Sequence, residues 1–392
     1  MIDVARIQAS LTREGIGAWL LYDFRGINPI AREVLRIHPG NILTRRWFYQ
    51  IPAQGEPVGL HHVIEPDAVS HLPGRKVAYG NRNVLRKELA SLLSGFDTVA
   101  MEYSPNAALP TLSMVDQGTI ELVESLGSTV VPSANLVQDF LAVLSEDQYG
   151  SHLRAVDRLM ATKNQVFARV TDKLRAGEQI DEFQIQQFIL ERFRSHRLVT
   201  DHNPIVAVNA HAGQPHYEPT EQRHSAIKEG DLLLIDLWAR EPGGVFADIT
   251  WTGFVGETVP DRIANVFDIV RHARDAAIAA ISDAYAAGRT VTGADADRAA
   301  RGVITEAGYG DRFIHRTGHS ITSALHGPGA NLDDLETEDV RPLVPGLLFS
   351  VEPGIYLDDF GIRSEVNVFV TPEGPRVTTQ PLQAEVLPLL AR

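Results

Sequence analysis

Four acidic residues interrupt runs of this chain that are otherwise apolar enough to form buried strands. Asp236 directly follows Leu232-Leu-Leu-Ile235, and Asp248 sits within Val245-Phe-Ala-Asp-Ile-Thr-Trp251. Glu352 closes Leu347-Leu-Phe-Ser-Val-Glu352, and Glu365 lies inside Gly361-Ile-Arg-Ser-Glu-Val-Asn-Val-Phe-Val370. In the last run, alternation places Val366, Val368 and Val370 on one face and Arg363, Glu365 and Asn367 on the other. A buried carboxylate that is ionised and unpaired is very costly. One such acid is readily explained by a partner or an exposed edge. Four of them in four consecutive core-like strands point to a shared cationic ligand.

Charge counting agrees. Two divalent cations balance four carboxylates, and a neutral imidazole adds a ligand without adding charge. Oxygen-rich coordination with one histidine suits Mn²⁺ and also accepts Co²⁺ or Zn²⁺. Two metals about 3.5–4 Å apart can generate a nucleophilic hydroxide and polarise a carbonyl. For Asp236 and Asp248 to share a face across a hairpin, the expected register pairs them directly, with a turn centred on Pro242.

The rest of the composition narrows the chemistry. The 392 residues contain no cysteine, which removes disulfides, thiolate nucleophiles and cysteine-ligated metal sites. Any metal must be held by Asp, Glu and His. Thirty-six Lys+Arg against 50 Asp+Glu give a formal charge of −14, which repels phosphate backbones and anionic lipid. No nucleic acid or membrane partner is therefore expected. The first 15 residues read as an amphipathic helix with acids rather than a signal peptide, and no stretch approaches the ~20 apolar residues of a membrane span. A soluble, cytoplasmic protein is expected. There is no GxxxxGK[ST] and no HExxH, and Gly15-Ile-Gly17 lacks the third glycine of a dinucleotide fingerprint.

Along the chain, Asp3 caps a helix ended by Gly15, and Ala18–Tyr22 follows as a short buried strand. Strand patterns at 77–79, 98–102 and 129–131 alternate with helical ones at 84–93 and 114–126, which predicts an α/β domain with a mixed sheet over 1–147. A long amphipathic helix over 151–176 opens the second domain, 148–392. There, helices at about 182–194, 261–287 and 294–307 accompany strand pairs at 232–252 and 346–371.

Histidines cluster in His315-Arg-Thr-Gly-His319-Ser-Ile-Thr-Ser-Ala-Leu-His326, three within 12 residues. His216 lies in Asn209-Ala-His-Ala-Gly-Gln-Pro-His-Tyr217, a loop between predicted strands, while the nearby His211 has no comparable case.

The ordered set Asp236, Asp248, His319, Glu352 and Glu365 resembles the ligand set of the pita-bread dimetal metallopeptidases. The Pro-His-Tyr, Thr-Gly-His, Glu-Pro-Gly-Ile-Tyr and Gly-Ile-Arg-x-Glu segments are similar as well. An α/β domain ahead of the catalytic one resembles the branch containing prolidase and aminopeptidase P. The resemblance implies an α+β chain whose C-terminal domain is a curved antiparallel sheet covered by helices, with two divalent metal ions per chain, manganese favoured. It implies that Asp236 chelates one metal, that His319 and Glu352 bind the other, and that Asp248 and Glu365 bridge them. Glu352 would carry the proton from the attacking water, a metal-bridged hydroxide, to the leaving nitrogen. His216 and His326 match histidines that contact the substrate and the tetrahedral intermediate, and His315 and Arg363 match substrate-binding positions of the prolidase branch. The implied activity is hydrolysis of the Xaa-Pro bond in dipeptides. Aminopeptidase P activity on longer Xaa-Pro peptides is the alternative, and a metal-free amidinohydrolase or non-catalytic binding protein a third. The partner is a small peptide with proline second, and a homodimer is expected from family habit.

The sequence departs from that family in places. Its two aspartates are one residue further apart than usual, Trp238 stands where glycine is common, and Val245 where tyrosine often stands. Trp251 replaces a frequent arginine, and Val366 a usual aspartate. A dipeptidase also needs a cation for the free carboxylate, and arginine suits that best. Alternation along Asn41–Ile51 puts Arg45 with Leu43, Trp47, Tyr49 and Ile51, leaving Arg46 on the other face as the candidate clamp.

Overall fold

The structure is a computed structural model and describes residues 2–38, 40–41 and 43–391. It divides into two compact units, Met1–Leu141 and Ala142–Arg392.

The first unit contains α1 (Val4–Glu14), β1 (Ala18–Asp23), α2 (Pro29–Val34), β2 (Trp47–Pro52), β3 (Val58–His62) and β4 (Arg75–Tyr79). It continues with α3 (Arg82–Leu93), β5 (Thr98–Met101), α4 (Gln117–Glu124), β6 (Thr129–Pro132) and α5 (Ala134–Val137). Asp3 caps α1 by accepting from the Arg6 N–H at 3.0 Å, and Gly15 ends it in the left-handed region. The sheet runs β4-β3-β2-β1-β5-β6. β1 is antiparallel to β2 and β2 to β3, while the outer pairs are parallel, so the sheet is mixed. Strand β1 shows no polar alternation because helices cover both of its faces. Trp19 and Leu21 pack with Ile7 and Leu11 of α1, and Ala18, Leu20 and Tyr22 pack with Leu85 and Leu89 of α3.

The second unit contains α6 (Glu146–Arg175), α7 (Glu182–Ser195), β7 (Ile205–Val208), β8 (Leu232–Ala239), β9 (Ala247–Phe254), α8 (Asp261–Ala286) and α9 (Gly293–Glu306). It ends with β10 (Leu348–Val351), β11 (Gly354–Tyr356), β12 (Gly361–Arg363), β13 (Val366–Thr371), β14 (Gly374–Val377) and β15 (Leu387–Pro388). α6 starts five residues before the predicted 151. Ser145 and Gln148 form a reciprocal capping box there, a stronger start signal than the hydrophobic period. The expected domain boundary at 147/148 falls in the first turn of this helix.

The sheets run β15-β9-β8-β7, β10-β13-β14 and β11-β12. Pairing is antiparallel throughout, except that β15 joins β9 in parallel. Leu233, Ile235 and Leu237 of β8, with Ile249 and Trp251 of β9, pack under α6 and α7. The pleat therefore turns Asp236, Trp238, Asp248 and Thr250 to the opposite face. Trp251 belongs to the helix side, where Lys163 Nζ lies 3.5 Å from its ring centroid. Among the described residues, no helix is long and apolar enough to cross a membrane.

Two local expectations are corrected. The hairpin pairs Asp236 with Thr250 and Trp238 with Asp248, two residues from the expected register. The connection centres on Gly243, whose φ of 75° supplies the left-handed turn, rather than on Pro242. A shift of two preserves facing, so both aspartates still point the same way as diagonal neighbours. The run 361–370 is not one strand either: it breaks at Ser364-Glu365. Gly361–Arg363 pairs with β11, while Val366–Thr371 pairs with β10.

Candidate metal centre

Each acid reaches the same cavity by a different local device. Asp236 and Asp248 project from the face of the β8–β9 hairpin opposite α6 and α7, and both are buried. Glu365 sits at the break between β12 and β13, where its N–H donates to the Thr250 carbonyl at 3.3 Å. Thr250 Oγ1 donates to Glu365 Oε2 at 2.7 Å. Glu352 follows β10, and its N–H is held by the Thr317 carbonyl at 2.7 Å. Ser350 Oγ donates to Glu352 Oε1 at 3.0 Å and accepts from the His319 N–H at 2.9 Å. The histidine segment can come this close because position 318 is glycine. A Cβ there would lie 1.9 Å from the Ser350 carbonyl oxygen.

All five candidate ligands line one cavity of about 480 Å³, together with His216, His315, His326 and Arg363. His319 Nε2 lies 3.5 Å from Asp248 Oδ2 and 3.4 Å from Glu352 Oε1. One ligand atom each from Asp248, His319 and Glu365 fall within 4.8 Å of one another. Asp236 Oδ1, Asp248 Oδ1 and Glu365 Oε1 are buried and, among the described residues, accept no hydrogen bond. Buried carboxylate oxygens without a donor are expensive unless a cation is shared between them. The residues therefore fit divalent metal, and the oxygen-rich donor set with one imidazole suits Mn²⁺, Co²⁺ or Zn²⁺.

The electrostatics carry the same signature. Burial pushes the Asp236 carboxyl up to about 7, with Asp248 and Glu352 adding to the effect and Arg363 opposing it. Burial raises Asp248 too, against the pull of His319. Burial and the three neighbouring carboxylates hold Glu365 well above its ordinary range. Glu352 goes the other way: burial would raise it, but His319, His315 and Arg363 together bring it below the usual value. Carboxylates driven apart in this way characterise sites that divide acid and base tasks or bind cations.

Arg363 organises one wall. It donates to Asp236 Oδ2 at 2.5 Å, to Thr250 Oγ1 at 3.0 Å and to the Tyr356 hydroxyl at 3.0 Å. The Tyr356 hydroxyl in turn lies 2.6 Å from His315 Nε2. His315 Nδ1 lies 2.7 Å from the Arg316 carbonyl, which can only accept, so this nitrogen carries the proton. Burial lowers His315 to about 4, and the ring is neutral at pH 7. Both of its nitrogens are already engaged. His326 stands edge-on to His319, ring centroids 4.3 Å apart, and His216 forms part of the cavity wall from its loop. Arg46 belongs to the N-terminal unit, where it lines a cavity with Tyr22, His62 and Tyr79.

Sequence reasoning gave no role to Thr250, Tyr356 or Arg316. Thr250 was accessible, since it lies two residues beyond Asp248 on the same strand face. Arg316 also lines this cavity and forms no ion pair among the described residues. Its signal was only adjacency to His315. Trp238, which lines the cavity and donates to Asp201 at 3.2 Å, stood out only as a departure from pattern.

Comparison with known proteins is consistent with this geometry. A family model described as metallopeptidase family M24 matches residues 155–372. A probable dipeptidase PepE of Mycobacterium tuberculosis is 29% identical over 281 residues, covering 71% of this chain and 70% of that protein. An Xaa-Pro dipeptidase of Lactobacillus helveticus is 32% identical over 214 residues, covering 54% and 51%. The crystal structure of dipeptidase PepE from Mycobacterium ulcerans superposes with a TM-score of 0.69 at 23% identity, over 98% of this chain and 96% of that one.

Proposed function

The chain belongs to metallopeptidase family M24, with the pita-bread fold of that family, and on this footing we propose that it is a dimetal Xaa-Pro dipeptidase. Asp236, Asp248, His319, Glu352 and Glu365 would hold two divalent cations, manganese favoured. Such cations, when bound, supply an acidified water and a Lewis acid for the scissile carbonyl.

The chain's own residues account for the rest of the reaction. Glu352 is the carboxylate held below its usual range, so it is ionised near neutrality and can accept a proton from water. Its Oε2 is free of the Ser350 contact that holds Oε1, and it can pass that proton to the prolyl nitrogen as the bond breaks. The Xaa-Pro bond is a tertiary amide, so its leaving nitrogen depends on such a donor. Imidazole N–H groups of His216 and His326 at the cavity wall can stabilise the developing oxyanion.

The observation that carries the dipeptide preference is Arg316. Each guanidinium nitrogen of Arg363 already donates a hydrogen bond, to Thr250, Tyr356 or Asp236, and both nitrogens of His315 are engaged. Arg316 is the cavity guanidinium in no ion pair among the described residues, and a free C-terminal carboxylate next to proline is its natural partner. Arg46 remains the second candidate for that clamp.

The test is hydrolysis of Ala-Pro beside Ala-Pro-Ala, with Mn²⁺ and after EDTA. Metal-dependent cleavage of the dipeptide alone, lost in Arg316→Met, supports the proposal. Preference for the tripeptide would overturn it in favour of aminopeptidase P. Hydrolysis that survives chelation would overturn the metal assignment itself. If Arg46→Ala rather than Arg316→Met removes the preference, the clamp lies in the N-terminal unit.

A further inference from the structure

Glu182, the first residue of α7, is fully buried, yet it is remote in sequence from all five candidate metal ligands. Its carboxylate accepts four donors: the N–H of Val208 at 2.7 Å, Nδ1 of His211 at 2.9 Å, the Tyr217 hydroxyl at 2.7 Å and the N–H of Ser225 at 2.7 Å. Val208 ends β7, and Ser225 pairs back onto Glu182 through a 3.1 Å bond from the Glu182 N–H. One carboxylate thus ties down both ends and the middle of segment 209–225.

That segment carries His216. Its own backbone bonds are short turns: Ala212 to Asn209, Gly213 to Ala210, Gln214 to His211 and Tyr217 to Gln214. His216 is exposed on the cavity wall, and its side chain makes no hydrogen bond among the described residues. Nothing on the ring itself fixes where it points. The neighbouring Tyr217 is buried and stacks on His211, ring centroids 4.1 Å apart at 22°. Both of these rings end on Glu182. A carboxylate can only accept, so His211 Nδ1 must carry a proton and Tyr217 must donate its hydroxyl. Burial and the carboxylate keep that phenol protonated far above neutral pH.

We propose that Glu182, acting through Tyr217 and His211, is a positioning residue that fixes His216 against the substrate. This rests on the reading of His216 as a substrate-contacting residue. Tyr217 and Glu182 touch no reacting atom, so their effect on the reaction should vanish once His216 is gone. A purely architectural role would weaken the protein alike with or without that imidazole.

The experiment is a double-mutant cycle on the Mn²⁺-loaded full chain, with Tyr217→Phe in the wild-type and His216→Ala backgrounds. Removing one hydroxyl is expected to lower kcat about tenfold in the first background, with KM changed less. In the second, the expected change is under about twofold. An equal fall in both, or no fall in the first, overturns the proposal. Should Tyr217→Phe not fold, His211→Gln, which keeps a donor but loses the stacked ring, is read in the same way. An activity-independent measurement on the metal-free full chain accompanies the cycle: the His216 imidazole resonance, identified by its loss in His216→Ala. It should shift or broaden in Tyr217→Phe, and an unmoved resonance also overturns the proposal. Failure of the wild-type chain to cleave any Xaa-Pro dipeptide would sink the peptidase reading instead, and the resonance would still decide the positioning.

Discussion

Arg363 donates to Asp236 Oδ2 at 2.5 Å, and both side chains are almost completely buried, at 4% and 10% exposure. One oxygen of Asp236 is thereby held by a fixed cation while the other, among the described residues, has no donor. The guanidinium is itself pinned by Thr250 and Tyr356, so it orients the aspartate rather than following it.

Arg363→Met should lower stability by about 3–5 kcal/mol, because it leaves a buried carboxylate uncompensated. Urea unfolding of the metal-free chain reads this directly. Arg363→Lys keeps the charge but not the fork of donors and should recover only part of the loss. An unfolding midpoint unchanged in Arg363→Met would show that the pair contributes nothing.

Glu365→Gln should act with opposite signs on stability and activity. Glu365 is raised well above its ordinary range, so wild-type stability from this group is fully present below the unfolded value near 4.5 and is lost as pH rises. The amide has no such loss. The metal-free variant should therefore be the more stable at pH 7.5, by a margin that grows from pH 4.5 upward. Mn²⁺ at a thousandfold excess over its Kd should stabilise the wild-type chain by about 4 kcal/mol. The variant should gain much less, and its activity should fall by at least the roughly 100-fold that loss of even an outer partner can cost. Thermal melts with and without Mn²⁺ decide both points.

His152 on α6 should give the second unit an acid-labile step. It is fully buried between the Phe246 carbonyl, 2.7 Å from Nδ1, and Thr378 Oγ1, 2.8 Å from Nε2. Burial pushes it down to about 4 from 6.5. The unfolded chain binds the proton more readily, so the contribution is complete above pH 6.5 and is lost as pH falls toward 4. The shift corresponds to roughly 3 kcal/mol. His152→Gln should flatten that part of the stability–pH curve; an identical slope in the two proteins would assign the acid sensitivity elsewhere.

Asp297 and Arg301 of α9 clamp the strand of chain that leads to His319. Asp297 accepts from Thr317 N–H at 2.9 Å and Oγ1 at 2.7 Å. Arg301 pairs with Asp297 and reaches the carbonyls of Phe313 and His315 at 3.0 and 2.8 Å. Asp297→Ala should cost about 3 kcal/mol, since it strands an arginine and two donors. Calorimetry should find Mn²⁺ bound some 10–100-fold more weakly. Unchanged metal affinity would confine the clamp to stability.

Much of the centre was legible without coordinates. Acids within apolar strands announce themselves by their cost, and the pleat decides which neighbours share their face. The helix start at Asp3 was readable because a cap is a local event. The register of the β8–β9 hairpin was not, because the turn settled on Gly243 and moved the pairing by two residues. The break at Ser364-Glu365 escaped as well, since a strand that exchanges one partner for another keeps its apolar pattern on both sides.

The sequence by itself determined which residue types face together and that a cation must balance them, because alternation and charge are properties of the chain. Only the tertiary structure decided who restrains whom. Arg363 is bound to Asp236 across 127 positions, and Glu182 to His211, Tyr217 and Ser225 across 29, 35 and 43. Such pairs arise where separate elements are packed against each other. A buried donor or acceptor then takes whichever partner that packing supplies, and no local spacing records the choice.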